Sequence, residues 1–130
     1  MTTVQLATMV AGTPRDAIPA AAIEEAKRSL LNWVGVAVGA SHHPLVDKLL
    51  DLAAEMGGNE QATVLGRGTR LNVLAAALIN GLSSHIFDYD DTFLDTILHP
   101  SAPVAPVLLA LAEWPVDTTI AVNSSASLSD

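Results

Sequence analysis

Apolar residues recur at the spacing of an α-helix along most of this sequence of 130 residues. They fall three and four positions apart over residues 19–38, 44–56 and 70–86, so each segment would bury one face. A shorter helix is predicted over residues 4–11, and a β-like pattern is confined to one run, Gln61 to Leu65. The sequence therefore predicts an all-α fold, as a multi-helix, bundle-like domain.

Glycine and N-capping residues mark where the middle helices begin and end. Gly57-Gly58 ends the helix over residues 44–56, and Thr69 is the predicted N-cap of the helix over residues 70–86. That last helix includes Asn80-Gly81, a pair typical of a hairpin turn. Because the apolar period continues through the pair, we predict an unbroken helix. A helix broken at Gly81 is the alternative.

Two local patterns resemble functional motifs but have simpler interpretations. Gly66-Arg67-Gly68 lacks the lysine and the spacing of a phosphate-binding loop, so we interpret it as a turn. His42 and His43 are adjacent in a connection, where neighbouring side chains usually point apart. We therefore interpret them as solvent-exposed loop histidines rather than metal ligands.

The end of the sequence combines one more helix with a segment of different character. Ser101 or Ala102 is predicted to cap the helix, with both of the following prolines in its first turn. Residues 114–130 are rich in Ser, Thr and Asn and show no helical period, which predicts an irregular, weakly structured tail. The predicted organisation is one helical domain over residues 1–113, followed by this tail.

Composition limits the classes of partner. Lys and Arg number 6 against 14 Asp and Glu, and the resulting net charge of −8 argues against nucleic acid or an anionic membrane as a partner. The sequence has no cysteine, so disulfides and cysteine-based metal sites are excluded. No apolar run approaches the roughly 20 residues of a membrane span, and no leader-like segment opens the chain. We therefore expect a cytoplasmic protein.

The apolar content is high for a small solitary domain. Hydrophobic residues make up 50% of the sequence, and its mean hydropathy is +0.39. A small domain has a large surface relative to its volume and needs many polar residues to cover it. We therefore expect part of this surface to be covered by another protein surface.

Residues 80–113 contain most of the side chains that could carry out chemistry. Two imidazoles, four carboxylates and a hydroxyl fall within fifteen positions: His85, Asp88, Asp90, Asp91, Thr92, Asp95 and His99. Apolar, helix-like segments flank the group on both sides. We expect these side chains to line a cleft, where histidine can exchange protons near neutral pH.

The same motifs carry a family resemblance. Asn80-Gly81, His85, the run from Asp88 to Thr92 and His99-Pro100-Ser101 resemble the signature of the MmgE/PrpD family. That family includes 2-methylcitrate dehydratases, cis-aconitate decarboxylases and iminodisuccinate epimerases. The resemblance implies a cofactor-independent lyase or isomerase of small polycarboxylates, built from a helical domain and a second α/β domain. It also implies that residues 1–113 are an incomplete, partial helical domain, and that the chain forms a homo-oligomer or associates with a homologous subunit.

Site roles follow from the resemblance together with the chemistry of the side chains. His99 is the candidate general acid/base, and Asp88 is the carboxylate that orients it. Thr92 is predicted to bind a substrate carboxylate or hydroxyl. His85 and Asp91 are placed with Thr92 in the substrate-binding set, and His85, one helical turn before Asp88, could also orient that carboxylate. No metal or cofactor is predicted.

Several alternatives stay open. The run from Asp90 to Thr92 could be a solvated turn, and His99 could be a buried histidine bonded to a backbone carbonyl. A metal site could be built from His85, Asp88, Asp91 and His99. The chain could also be a non-catalytic helical module that associates with itself or with a homologous full-length subunit.

Charge limits what the central stretch can do alone. Residues 80–113 contain no Lys or Arg, whereas a polycarboxylate substrate requires cations. The stretch therefore predicts half of an active site, and we expect the isolated chain to be weakly active or inactive.

Overall fold

The structure is a computed structural model that describes residues 2–114. Its elements, in chain order, are α1 (Thr3–Gly12), α2 (Ala20–Gly39), α3 (Pro44–Met56), β1 (Ala62–Val64), β2 (Thr69–Leu71), α4 (Val73–His85) and α5 (Ser101–Glu113), with a short 3₁₀ turn at Arg15–Ala17. The prediction of an all-α fold is confirmed, with one small hairpin added. Apart from Trp114, which ends α5, the predicted tail over residues 114–130 lies outside the described residues.

Helix α4 is the central element of the fold. It packs most extensively on α5 and also contacts α2, α3 and both strands of the hairpin. Small residues on α4 allow these close approaches, and Ala76, Ser83 and Ser84 are buried. The core between α3, α4, α5 and the hairpin is formed by Val46, Ala53, Ala62, Val64, Ala76, Ile79 and Ala110.

The helix continues unbroken through Asn80-Gly81, as predicted, and both residues face neighbouring elements. The buried Asn80 side chain accepts a hydrogen bond from the Leu65 N–H (2.9 Å) and donates one to the Thr63 carbonyl (2.8 Å). Gly81 faces α5, where an added Cβ would lie 3.4 Å from the Ala102 carbonyl oxygen. The pair that resembles a hairpin turn therefore joins α4 to the hairpin and to α5.

The predicted start of α4 is wrong by about one helical turn. Thr69 lies in β2 and pairs with Val64 in the antiparallel hairpin, and Leu71 pairs with Ala62. Strand pairing satisfies the backbone groups that the predicted helix would have used. The N-cap is Asn72, whose side chain accepts a hydrogen bond from the Ala75 N–H at 3.0 Å.

The segment Gly66-Arg67-Gly68 is a turn, as predicted, and it packs on the connection between α2 and α3. Arg67 forms an ion pair with Asp47 (2.8 Å) and donates to the Ser41 carbonyl (3.2 Å). Within that connection His42 is exposed, but the half-buried His43 caps α3 by accepting a hydrogen bond from the Leu45 N–H at 3.2 Å. The interpretation of both histidines as solvent-exposed loop residues therefore holds for His42 only.

The start of α5 also differs from its prediction. Pro100 is the N-cap residue and Ser101 is already helical, and Pro106 lies inside the helix instead of in its first turn. Proline has no N–H, so the Ala102 carbonyl, four residues earlier, receives no hydrogen bond from position 106. This carbonyl is the atom that Gly81 faces on α4.

Many large apolar side chains of the described residues are exposed. Helix α1 has no buried residue, and Leu31, Met56, Leu74 and Leu78 are each more than 60% exposed on the other helices. Over residues 2–114, none of the helices is both long enough and apolar enough to cross a bilayer.

Candidate active site

The candidate site lies in the loop between α4 and α5. His85 is the last residue of α4, and Asp88 adopts a left-handed conformation (φ 55°) that turns the chain directly after the helix. Farther along, the Phe93 N–H donates to the Leu98 carbonyl at 2.7 Å and closes a small loop. As a result the chain folds back on itself, and His99 returns to lie beside His85.

Asp90 is at the centre of the site. Its side chain is fully buried, and each of its carboxylate oxygens lies 3.0 Å from His85 Nδ1. His99 Nδ1 lies 3.4 Å from Asp90 Oδ2. The two imidazole rings are edge to face, with centroids 4.9 Å apart. Over residues 2–114, the ion pairs of Asp90 are with these two histidines, and none is with a lysine or an arginine.

Asp88 lies on the solvent side of the same cluster. Its carboxylate oxygen is 3.8 Å from His99 Nε2, so the predicted pair of Asp88 and His99 is brought together. Asp88 is 78% exposed, whereas His99 is 24% exposed. The sequence suggested that His85 could orient Asp88. In the structure its hydrogen bond is with Asp90 instead.

Thr92 lies beside His99. Its hydroxyl donates to the Asp90 carbonyl at 3.3 Å and lies 3.5 Å from His99 Nδ1. Asp95, by contrast, lies exposed in the small loop closed by Phe93 and Leu98.

Asp91 points toward α5, away from the two histidines. Its carboxylate accepts from the Ser101 N–H (3.1 Å) and the Ser101 hydroxyl (2.8 Å), at the N-terminus of that helix. A substrate-binding role for Asp91 stays a prediction.

The importance of Asp90 was missed in the sequence. Asp90 and His85 are five residues apart, across the end of a helix, where no regular period relates two side chains. The available signal was burial of an acid in a chain with few charges, but the sequence does not show which of four nearby aspartates is buried.

Helix α2 also holds the loop in place, because the Asn32 side chain donates to the Tyr89 carbonyl at 3.1 Å.

Four side chains of the cluster have the composition of a metal site. The ligand atoms of His85, Asp88, Asp90 and His99 lie within 4.8 Å of one another. The set includes Asp90 in place of the Asp91 considered from the sequence. Bonds of about 2.0–2.2 Å to a zinc-like ion place tetrahedral ligand atoms roughly 3.3 Å apart, so the cluster would have to contract to hold one.

Two cavities lie near α4 and α5. One, of about 320 Å³, is lined by Ala26, Ser29, Leu30, Asp91, Pro100, Ser101, Val104, Ala105 and Leu108, between α2 and α5. It meets the site only at Asp91 and the Pro100-Ser101 pair. The other, of about 200 Å³, is an apolar groove between α3 and α4. Neither lining includes a lysine or an arginine.

Comparison with known proteins finds three relatives whose names all include cis-aconitate decarboxylase. The chain is 36% identical over 92 residues to cis-aconitate decarboxylase of Mus musculus and 34% identical over 92 residues to that of Homo sapiens; each match covers 70% of this chain and 19% of the relative. It is also 28% identical over 96 residues to the cis-aconitate decarboxylase-like protein oryM of Aspergillus oryzae, covering 74% of this chain and 20% of the relative. The chain thus spans about a fifth of the length of these relatives.

The match to a family extends over almost the whole sequence. The sequence model of the MmgE/PrpD N-terminal domain matches residues 4–122, which include α1 from its second residue, the other four helices, the hairpin and the loop that holds the candidate site. The chain therefore belongs to the MmgE/PrpD family, in the region of its N-terminal domain.

Proposed function

We propose that the cluster around His99 is the acid–base part of a lyase site for a small polycarboxylate. The relatives are named cis-aconitate decarboxylases, so decarboxylation of an unsaturated tricarboxylate is the first reaction to test. The observation that carries the proposal is the position of His99, a partly exposed imidazole within 4 Å of both a buried and an exposed carboxylate.

In a decarboxylation, the bond between a carboxylate and its carbon breaks and carbon dioxide leaves. The electron pair stays on the carbon, which must then receive a proton. A protonated His99 can give that proton from Nε2, the ring nitrogen on the side of the exposed Asp88. Thr92 lies beside the same ring, and its predicted binding of a substrate carboxylate would require its hydroxyl proton to turn from the Asp90 carbonyl to the substrate.

The same group could serve related reactions. In a dehydration or an epimerisation the neutral imidazole would take a proton from carbon, and the site residues would be unchanged. A lyase is favoured over an isomerase by the names of the relatives alone.

The charge balance predicts that this chain works poorly alone. Asp88, Asp90 and Asp91 lie in the site region, and residues 80–113 contain no Lys or Arg. A substrate with two or three negative charges would be repelled unless cations come from elsewhere. We infer that the positive groups belong to a part of the protein not represented in these residues, or to a homologous subunit.

The test is a panel of di- and tricarboxylates, beginning with cis-aconitate, followed by ¹³C NMR for product and by shifts of the histidine signals. We expect binding to shift the His99 signals, and His99→Ala to remove any turnover. His42→Ala is the matched control, because His42 is exposed and lies outside the cluster. Turnover that is unchanged in His99→Ala, or binding of a polycarboxylate that shifts other signals and leaves those of His99 unchanged, would overturn the proposal.

A second candidate function is a non-catalytic helical module that associates with itself or with a homologous full-length subunit. It is favoured by the large apolar side chains left exposed on α3 and α4, including Met56 (77%), Leu74 (79%) and Leu78 (63%). Association without any response of His99 to polycarboxylates would favour this candidate. A dimeric state and a cytoplasmic location are part of these proposals, to be tested by light scattering and cell fractionation.

A further inference from the structure

The buried Asp90 is not used directly in the proposed proton transfer. It does not face the solvent side of the cluster, where a substrate would enter, because its side chain is 0% exposed. Its carboxylate instead contacts the same ring atom, Nδ1, of both His85 and His99, at 3.0 Å and 3.4 Å. One carboxylate therefore contacts Nδ1 of two imidazoles, by a hydrogen bond to His85 and at ion-pair distance to His99.

This arrangement restricts where the protons of the two rings can be. An ionised carboxylate can only accept hydrogen bonds, and a neutral imidazole carries its proton on either Nδ1 or Nε2. A ring whose Nδ1 faces a buried carboxylate is stabilised with the proton on Nδ1, because a lone pair there would face negative charge. Nε2 of each ring is then unprotonated and can accept a proton; the Asp88 carboxylate, 3.8 Å from His99 Nε2, lies beyond hydrogen-bond distance of it.

We infer that Asp90 is a positioning residue that fixes both His85 and His99 in the tautomer with Nδ1 protonated. This makes His99 Nε2 a base when the ring is neutral, and it makes His85 a second imidazole with the same capacity, its ring centroid 4.9 Å away. The assignment as a positioning residue rests on the proposed acid–base function. The tautomers are a property of the folded chain and do not depend on any substrate.

Thr92 is consistent with this assignment. Its hydroxyl proton goes to the Asp90 carbonyl, so its oxygen faces His99 Nδ1 as an acceptor. Both groups nearest to His99 Nδ1, the Asp90 carboxylate and the Thr92 oxygen, are therefore acceptors. Only a protonated Nδ1 satisfies them.

The test is two-dimensional ¹H–¹⁵N NMR of the histidine side chains in mildly alkaline buffer, where the neutral tautomers are distinguished by their nitrogen shifts. In the unmodified chain we expect both His85 and His99 to show a protonated Nδ1 and an unprotonated Nε2. An Nε2-protonated tautomer at either residue would overturn the inference.

The variant Asp90→Leu gives a sharper result. Leucine offers no acceptor, so Nδ1 of His85 loses its hydrogen-bond partner, whereas Nδ1 of His99 keeps the Thr92 oxygen. His85 should therefore lose its preference for the Nδ1-protonated tautomer. A His85 that keeps this tautomer in Asp90→Leu would contradict the inference.

Two further variants separate positioning from general loss of structure. In His85→Gln, His99 should keep its Nδ1-protonated tautomer, because Asp90 is still present. In Asp95→Asn, which changes an exposed carboxylate of the same loop, both tautomers should be unchanged. A tautomer switch in Asp95→Asn would show that loop disturbance alone produces the signal. Because these readouts use no substrate, they can fail while the polycarboxylate assay succeeds, and the reverse.

Discussion

At the scale of single residues, Asp91 serves the fold by a contact that sequence reasoning did not foresee. Its two carboxylate oxygens accept from the N–H and the hydroxyl of Ser101, at the first turn of α5. A carboxylate at this position also interacts favourably with the positive end of the helix dipole. The acidic run from Asp88 to Asp91 is therefore divided between the histidine cluster and the start of the next helix.

We predict that Asp91→Ala lowers the free energy of unfolding by about 1–2 kcal/mol, because α5 loses its cap and the Ser101 N–H loses its partner. Urea denaturation measures this change. Asp91→Asn should lose less, since an amide oxygen still accepts one hydrogen bond. Asp95→Ala, in the exposed part of the same loop, is the control and should stay within about 0.5 kcal/mol of the unmodified chain. Equal effects of the two alanine variants would show that Asp91 does not stabilise α5.

At the scale of elements, the hairpin turn depends on two glycines that differ in their surroundings. Gly66 (φ 74°) packs against α2–α3, and a Cβ added there would lie 2.5 Å from Ser41 Oγ. Gly68 has a similar positive φ of 62°, but nothing lies within 4 Å of its added Cβ. The pair therefore separates the cost of a left-handed backbone from the cost of a steric clash.

We predict that Gly68→Ala destabilises the chain by about 1 kcal/mol, from the left-handed backbone conformation alone. Gly66→Ala should cost clearly more, about 2–4 kcal/mol, because Ser41 is buried and must move. Thermal and urea unfolding of the two variants give the comparison. If both substitutions cost the same, the turn does not pack on the α2–α3 connection in solution.

The elements that could be predicted from sequence are those set by local information. Helix α3 begins at Pro44 and ends at Met56 as predicted, because a proline, an apolar period and a glycine pair all lie within that segment. Strand β2 was missed because its partner β1 supplies the pairing, and Thr69 by itself resembles a helix cap. For helices, a continuous apolar period outweighed a turn-like dipeptide, as Asn80-Gly81 shows.

The candidate site was predictable in composition but not in pairing. The identity of His99, Asp88 and Thr92 followed from motif residues, and the loop brings all three together. The central carboxylate was not identified, because it depends on a left-handed residue at Asp88 and on the Phe93–Leu98 contact that returns the chain. Each of these is a backbone choice that several residue types permit, so the sequence pattern does not determine it.

At the scale of the whole molecule, the apolar and charge distributions act in opposite directions on self-association. An apolar groove of about 200 Å³ runs between α3 and α4, with Leu52, Met56, Leu74 and Leu78 exposed along it. Burying one such side chain fully would contribute about 1.5–3 kcal/mol. Each chain also carries a net charge of −8, so two copies repel each other. Salt screens this repulsion but does not weaken apolar burial.

We therefore predict that the chain self-associates through this groove with a second copy, and that association strengthens as salt concentration rises. Light scattering over a range of protein concentrations should show masses above the 13.5 kDa of one chain. The double variant Leu74→Gln and Leu78→Gln should shift the population to monomer without changing net charge. Val4→Gln with Val10→Gln on α1, where the residues are 74% and 67% exposed, is the matched control and should leave the mass distribution unchanged. Association that weakens with salt, or that the α1 pair abolishes equally, would mean that another surface joins the copies.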